Sequence, residues 1–224
     1  MVRYPIFAGQ FYIIPVIANG MKNSPFNLNI QNSDTDHRIV AALERVSQAF
    51  RIMLWNESKN LSLTPIQIQT LIFLQNHSEE KRTVTYLARE FNITKATVSD
   101  TIKTLHQKEL ITRQYQQEDT RSYTIHLSSK GNEIATKASL FTRELFAPIE
   151  KLNSPEKESF LLNLLEIIHH LQKAGIISLQ RMCFTCVHYR PDHPKGNHFC
   201  NLLNMKLEPR ELRIDCPEHE EKPA

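Results

Sequence analysis

The hydrophobic pattern changes its period in the middle of the chain, and this change restricts the fold more than any other feature of the sequence. Over residues 84–105, apolar side chains recur every three or four positions, which predicts two short helices with a turn at Asn92 and Ile93. Over residues 111–127, apolar and polar side chains alternate on both sides of a polar tip, which predicts a β-hairpin. Two short helices joined by a tight turn form a helix-turn-helix, and the hairpin follows where a wing would lie.

The second helix of this pair is the element suited to a DNA groove, and Thr94 can cap its N-terminus. Its predicted inward positions are Ala96, Val98, Ile102 and Leu105. Its predicted outward positions are Lys95, Thr97, Ser99, Asp100, Lys103 and Thr104, which carry hydrogen-bonding groups or charges. The periodicity alone would also fit an amphipathic surface helix. The preceding helix, the turn and the hairpin favour insertion into a major groove.

The charge distribution supports the same segment as a contact surface. Residues 81–130 contain nine Lys and Arg against five Asp and Glu, a balance of +4, whereas the rest of the chain has eighteen against nineteen, a balance of −1. The whole chain carries only +3. A local basic excess is the electrostatic footprint expected for binding to nucleic acid, although solvated surfaces also show mild excesses.

The N-terminal part of the chain has no clear periodicity before residue 37. Its first twenty residues are too short and too interrupted by proline for a membrane span. We therefore predict a disordered or loosely attached arm, and Met21 is an alternative start. A helix follows over residues 37–54, with Asp34 or Asp36 as its cap, and Thr64-Pro65 begins the next.

Two longer helices are predicted after the hairpin. Ser128 can cap a helix that reaches about Ile149, with an interruption near Pro148, because proline removes a helical hydrogen bond. Ser154 opens the last helix, and Gly175 ends it.

All four cysteines lie in the last fifth of the chain, as Cys183, Cys186, Cys200 and Cys216. A Cys-x2-Cys on a tight turn directs two thiolates at one ion, and two later cysteines can complete a tetrahedron. The segment has few aliphatic side chains, so bound metal would have to stabilise it. Zinc is favoured, and an iron–sulfur cluster is the alternative, since both accept four thiolates.

Other interpretations of the cysteines remain open at the level of sequence. His188, His193, His198 or His219 could replace a thiolate. Four unrelated thiols would not explain the clustering, and a redox-active Cys-x2-Cys lacks its usual strand and helix context. The absence of cysteine from the preceding 182 residues is typical of a reducing cytoplasm, so we predict a cytoplasmic protein.

Several short motifs occur in a fixed order along this part of the chain. They are Leu63-Thr64-Pro65-Ile66-Gln67, Leu87-Ala88, Ile93-Thr94-Lys95-Ala96-Thr97-Val98-Ser99, Leu105, Leu110-Ile111, Arg113, Asp119-Thr120-Arg121-Ser122-Tyr123, Leu127-Ser128 and Gly131. With these motifs, the segment from about His37 to Gly175 resembles the MarR family of winged-helix repressors. The most specific motif is the wing pattern, an Asp and an Arg two apart before a strand that ends in Leu-Ser-x-x-Gly.

The resemblance implies a homodimer that binds double-stranded DNA, with the first and last long helices of each chain packed against their twins. The DNA-contacting residues that it implies are Thr94, Lys95, Thr97, Ser99 and Lys103 on the recognition helix, and Arg113, Asp119 and Arg121 on the wing. Two positions depart from the pattern. Glu109 stands where the family usually has Gly, and Asp100 stands where a basic or polar residue is common. The cysteine segment lies outside the resemblance.

The sequence therefore predicts a mainly α-helical winged helix-turn-helix protein with a small β wing and a C-terminal metal-binding knot of four cysteines. The predicted segments are the arm (1–35), the dimerisation and DNA-binding domain (36–177) and the metal-binding tail (178–224). No Ser/His/Asp order, Gly-rich phosphate loop or carboxylate pair is apparent. We therefore expect a transcriptional repressor and no enzyme, with no membrane partner and an unidentified small-molecule effector. The alternatives are an enzyme that uses the Cys/His tail and a scaffold that docks another protein.

Overall fold

The computed structural model describes residues 24–115 and 123–222, and in this part the chain is mainly helical with two small antiparallel sheets. The helices are α1 (Leu28–Ser33), α2 (Thr35–Leu61), α3 (Pro65–Asn76), α4 (Val84–Glu90), α5 (Lys95–Gln107), α6 (Ser129–Ala138), α7 (Phe146–Glu150) and α8 (Ser154–Lys173). Residues 1–23 of the predicted arm, with the alternative start Met21, lie outside the described residues. Helix α1 falls within the remainder of the segment predicted as an arm.

Polar side chains begin the helices at the predicted positions. The Asp34 carboxylate accepts a hydrogen bond from the backbone of Asp36 and caps α2. Thr64 and Gln67 form a reciprocal capping box at the start of α3, with proline in the first turn. Ser128 caps α6 through the backbone N–H of Gly131. Each cap satisfies helix N–H groups that would otherwise have no partner, which is why these residues fix the helix starts.

The predicted hairpin is confirmed as strands β1 (Ile111–Tyr115) and β2 (Tyr123–Leu127), which pair antiparallel with Ile111 opposite Leu127. Ile125 is fully buried and belongs to the main core. That core also includes Ile68 and Leu71 of α3, Leu87 of α4 and Ile102 of α5. The helix-turn-helix and the hairpin therefore share one apolar core, which holds them in a fixed relative position.

Gly131 lies where helix α6 approaches the chain between α5 and β1. A Cβ atom at this position would lie 1.9 Å from the backbone oxygen of Leu110, so no larger side chain fits without a shift of the backbone. The Ser128 backbone N–H also donates to the Leu110 carbonyl over 3.0 Å. The Leu-Ser-x-x-Gly pattern thus has a packing role, because it brings α6 against the junction of α5 and β1.

The helix predicted from Ser128 to Ile149 is interrupted over a longer stretch than expected. Residues Ser139–Leu145 form a 3₁₀ helix between α6 and α7. Pro148 has no N–H to offer the carbonyl four residues earlier, at Glu144, and its ring crowds that carbonyl. This accounts for the end of the tightened stretch, whereas nothing in the sequence explains why it begins as early as Ser139.

The C-terminal tail contains a three-stranded sheet that was not predicted. Its strands are β3 (Tyr189–His193), β4 (Gly196–Cys200) and β5 (Met205–Lys206), in the order β3-β4-β5. A second apolar cluster forms here, in which Met182, Phe184 and Leu207 pack against Leu165 of α8. The tail is therefore folded against the last long helix.

A membrane span does not arise from the described part of the chain, because none of its helices combines the length and the apolar character that crossing a bilayer requires.

Candidate DNA-contacting surface and cysteine cavity

Helix α5 presents a polar face beside the hairpin. Thr94 caps the helix by accepting a hydrogen bond from the Thr97 backbone over 3.0 Å. Val98, Ile102 and Leu105 are buried as predicted. The inward prediction for Ala96 is wrong, because Ala96 is exposed and the fourth buried position is Thr101. The Thr101 hydroxyl can be buried because it donates to the Thr97 carbonyl, which lies one turn earlier.

The predicted contact residues of α5 lie on its solvent-facing side. The exposed positions are Lys95, Thr97, Ser99, Asp100 and Lys103. Thr94 is half-buried through its capping role, and Thr104 is half-buried with its hydroxyl bonded to the Asp100 carbonyl. The face therefore offers two ammonium groups, two hydroxyls and one carboxylate to a groove without any rearrangement of the core.

A left-handed turn ends α5 and leads into the wing. Glu109 has φ of 60°, a conformation that glycine adopts at low cost. The Glu109 N–H bonds to the His106 carbonyl over 2.9 Å, and the Leu110 N–H bonds to the Leu105 carbonyl over 3.0 Å. This is the Schellman arrangement, in which glycine is the residue best suited to the position of Glu109.

The wing residues are described only in part. Arg113 is half-buried on β1, and its guanidinium carbon lies 5.1 Å from the centre of the Tyr123 ring. Its Nε atom is buried and makes no hydrogen bond within residues 24–115 and 123–222. Asp119 and Arg121, the other predicted wing contacts, lie outside the described residues. The structure thus places Arg113 at the base of the wing, and a contact of Arg113 with DNA stays a prediction.

The four cysteines come together around one cavity. Cys183 and Cys186 lie on the 3₁₀ turn at Cys183–Thr185, Cys200 ends β4, and Cys216 follows the last 3₁₀ turn. All four line a cavity of about 280 Å³, and all are free thiols. Burial raises the pKa of the Cys183 thiol, and the nearby thiols of the other three cysteines raise it further.

Among the described residues, two N–H groups donate hydrogen bonds to the cysteine sulfur atoms, and both belong to Arg213. Its backbone N–H donates to the Cys183 Sγ over 3.2 Å, and its Nη1 donates to the Cys216 Sγ over 3.4 Å. The Arg213 carbonyl in turn accepts from the Cys183 N–H over 3.0 Å. N–H donors of this kind stabilise negative charge on sulfur.

The cavity differs from a preformed site for a single ion. Across the residues that the structure describes, no group of three or more His, Cys, Asp or Glu side chains could hold a metal ion. The predicted convergence of four cysteines on one ion is therefore not seen there, and the metal site stays a prediction.

The tail histidines have other partners or positions. His219 bonds to Thr185 over 2.9 Å, and His198 bonds to the Tyr189 hydroxyl over 2.6 Å. The His193 ring stacks on Phe199. His188 alone among the four lines the cavity. Its Nε2 lies 3.2 Å from the Glu220 carboxylate but outside hydrogen-bonding geometry. His188 is thus the histidine best placed to replace a thiolate.

Arg181 joins the tail to the helix-turn-helix. Its guanidinium donates two hydrogen bonds to the Glu90 carboxylate on α4, over 2.6 and 3.1 Å. It also donates to Asp215 over 2.5 Å and to the Tyr86 hydroxyl over 3.2 Å. The Arg181 side chain is only 6% exposed. Burial alone would lower the pKa of Arg181, but the bonds to Glu90 and Asp215 outweigh burial and raise it.

The contact is reinforced around Arg181. The Arg181 carbonyl accepts from the Cys216 N–H over 2.9 Å, so the arginine is tied to a cavity cysteine. Burial would raise the pKa of the adjacent Asp215, but His77 and Arg181 hold it at about 2. Sequence reasoning did not identify Arg181 or Arg213, because a single arginine in a charged segment carries no periodic or spacing signal.

Two short helices with a tight turn, an antiparallel hairpin and a solvent-facing second helix define a winged helix-turn-helix protein. The comparisons agree with this class. The sequence model of the MarR family matches residues 61–122, so the predicted resemblance is confirmed for this segment. The match ends before the cysteine tail.

Solved structures give the same fold. One is the S. aureus MepR–DNA complex, with a TM-score of 0.52 and 24% identity over 59% of this chain and 97% of that chain. Another is S. aureus MepR in its DNA-binding conformation, also with a TM-score of 0.52 and 24% identity, over 60% of this chain and 98% of that chain. At this identity the likeness shows the fold alone. A comparison with curated proteins gives no match.

Proposed function

We propose that this protein is a sequence-specific DNA-binding transcriptional regulator that acts as a homodimeric repressor, with a metal site in its tail. The observation that carries the proposal is the exposed polar face of α5 beside the hairpin, within the basic segment of residues 81–130. A helix of this size fits the major groove, and its Lys and hydroxyl side chains suit base edges and phosphates. The solved MepR structures support the proposal, since one is a DNA complex and the other is in a DNA-binding conformation.

The apolar surface of the single chain supports dimerisation. Helix α2 spans 27 residues, yet Ser58 is its one buried residue in the described chain. Val46 and Ile39 of α2 are about half exposed, as is Phe160 of α8. Large apolar side chains spread over two long helices are costly in water, and a second copy of the chain would cover them. A two-fold dimer would present two α5 helices to two half-sites of DNA.

Repression would follow from the presence of the bound dimer on the DNA. A dimer seated in the major groove with its wings alongside excludes other proteins from the same stretch of DNA. An enzyme that used the Cys/His tail would need an open site and turnover, whereas the regulator needs only DNA binding that falls with salt.

The test is DNA binding by the full chain. The protein should select a pseudo-palindromic duplex with half-sites about one helical turn apart. Its affinity should fall steeply as salt rises, because Lys and Arg contacts release counterions from the phosphates. Lys103→Ala should weaken binding to the selected duplex by about 1–3 kcal/mol, because it removes a proposed contact to the DNA.

Lys151→Ala is the matched control, because Lys151 is also an exposed lysine but lies in the turn between α7 and α8, away from α5. Its affinity should equal that of the unaltered protein. Binding that does not respond to salt, or equal effects of the two substitutions, would exclude the proposed DNA surface.

A further inference from the structure

Helix α5 has one line of residues that lies farthest from the core. Successive residues of an α-helix are rotated by about 100°, so positions four, three and four apart share one side. The inner side of α5 is defined by its four buried residues, Val98, Thr101, Ile102 and Leu105. The opposite side is defined by four exposed residues, Ala96, Asp100, Lys103 and Gln107. We call this second set the outer stripe. When α5 enters a major groove, the outer stripe faces the groove floor, where the base edges lie.

Asp100 lies on the outer stripe, and its carboxylate has no donor of its own. The side chain is exposed, with no ion pair or hydrogen bond to the carboxylate within residues 24–115 and 123–222. The neighbouring hydroxyl groups are already bonded. The Thr97 and Thr94 hydroxyls bond to each other over 2.8 Å, and the Thr104 hydroxyl donates to the Asp100 backbone carbonyl over 2.9 Å. A carboxylate without a donor is costly to remove from water, so in a groove Asp100 requires a partner on the DNA.

The base edges of the major groove limit what that partner is. Cytosine presents the donor group N4 and adenine presents the donor group N6, whereas guanine and thymine present only acceptors or a methyl group. The adenine amino group also lies beside N7, an acceptor that repels a carboxylate. A carboxylate at the groove floor therefore favours cytosine over the other three bases.

The outer stripe allows a short side chain to reach the bases. Aspartate has a single methylene group, so it contacts a base edge only where the helix backbone comes close to the groove floor. Ala96, one turn earlier on the stripe, carries only a methyl group and does not hold the backbone away. Asp100 also belongs to the N-terminal half of α5, the part of a recognition helix that contacts base edges.

We propose that Asp100 is a specificity-determining residue, which accepts a hydrogen bond from the N4 amino group of one cytosine in each half-site. This inference rests on the proposed DNA-binding function and deepens it. Repulsion between the carboxylate and the phosphates is a different effect, since it weakens binding to every sequence alike.

The experiment selects duplexes from a randomised library with the full chain, and repeats the selection with Asp100→Asn and Asp100→Ala. The unaltered protein should require cytosine at one position of each half-site. Asp100→Asn should move the preference at that position to adenine, because an amide pairs with both N6 and N7 of adenine. Asp100→Ala should reduce the discrimination between bases at that position by about tenfold.

Glu150→Ala is the matched control, because it removes the same charge from another exposed acid, which lies on α7. Its preferred sequence should equal that of the unaltered protein. Circular dichroism checks that each variant is folded, and the exposure of Asp100 predicts that neither substitution disturbs the core.

Three outcomes would overturn the role of Asp100. The first is a selected duplex without a required cytosine, and the second is a base preference that neither Asp100 variant changes. The third is an equal rise in affinity for all duplexes in Asp100→Ala, because Asp100 would then only repel phosphates. If the unaltered chain selects no duplex, the proposed DNA-binding function itself fails, and this inference fails with it.

Discussion

At the scale of single residues, Glu109 shows how one backbone conformation limits a sequence. Its φ of 60° lies in the left-handed region, which costs an L-residue about 1–2 kcal/mol. The turn is retained because the Leu110 N–H and the buried Leu105 and Leu110 side chains stabilise it. Glutamate is thus tolerated at position 109, although glycine would adopt this conformation at lower cost.

Glu109→Gly should raise the free energy of unfolding by about 1 kcal/mol, because glycine reaches this conformation without the steric penalty. Urea denaturation followed by circular dichroism would measure it. Lys108→Gly is the matched control one residue earlier, where φ is −82°. There glycine adds flexibility to the unfolded chain and also removes the hydrogen bond from the Lys108 ammonium group to the Ser62 carbonyl, so stability should fall. A loss of stability in both variants would contradict the assigned role of Glu109.

At the scale of elements, the two ends of the chain differ in how far the sequence predicts them. The helix starts at Thr64, Thr94 and Ser128 follow from capping chemistry, and the hairpin follows from alternation. The sheet of the tail could not be predicted, since its strands are short and include Pro191 and two histidines, which hide any alternation. The prediction that Ala96 faces inward is wrong because a small residue tolerates either face of a helix.

The candidate site was likewise predictable only where chemistry repeats. The clustering and spacing of the four cysteines are visible in the sequence, and the helical period of the hydrophobic residues predicts the polar face of α5. Arg181 is 91 residues away from Glu90 in sequence, and no local pattern links them. Contacts of this kind depend on tertiary structure, which is why the sequence indicates the four cysteines but not the arginine that attaches their segment to the fold.

The attachment of the tail to α4 gives a prediction at this scale. Arg181→Met should lower the free energy of unfolding by about 3–5 kcal/mol, because it leaves the Glu90 carboxylate with its buried partner removed. Arg89→Met is the matched control, since Arg89 also joins α4 to the tail, through Glu221 at 3.7 Å, but both side chains are more than half exposed. Its effect should be below about 1 kcal/mol. Chemical denaturation measures the free energy of unfolding of both variants. Similar losses would show that the buried Arg181 contact stabilises the fold no more than the exposed Arg89 contact does.

At the scale of the whole molecule, the unpartnered apolar faces of α2 and α8 carry the dimer proposal. Val46→Glu should shift the protein toward a monomer in sedimentation equilibrium, because a carboxylate would be buried without a partner in the interface. Specific DNA affinity should fall with it, since a monomer reads one half-site. Tyr115→Glu changes a similarly exposed residue on the hairpin and should leave the oligomeric state unchanged. A native-like dimer for Val46→Glu would place the interface elsewhere.

The tail touches two helices that the proposed dimer uses differently. Its apolar cluster packs on α8, and Arg181 donates hydrogen bonds to Glu90 on α4, the helix that precedes α5. In the proposed dimer, a tail attached at both points would hold α8 and α4 at a fixed angle to each other. In a symmetric dimer, the angle between these helices would determine the distance between the two α5 helices. That distance determines which separation of half-sites the dimer can contact. The tail would then influence which separation of half-sites the dimer accepts, whereas α5 would read the bases within each half-site.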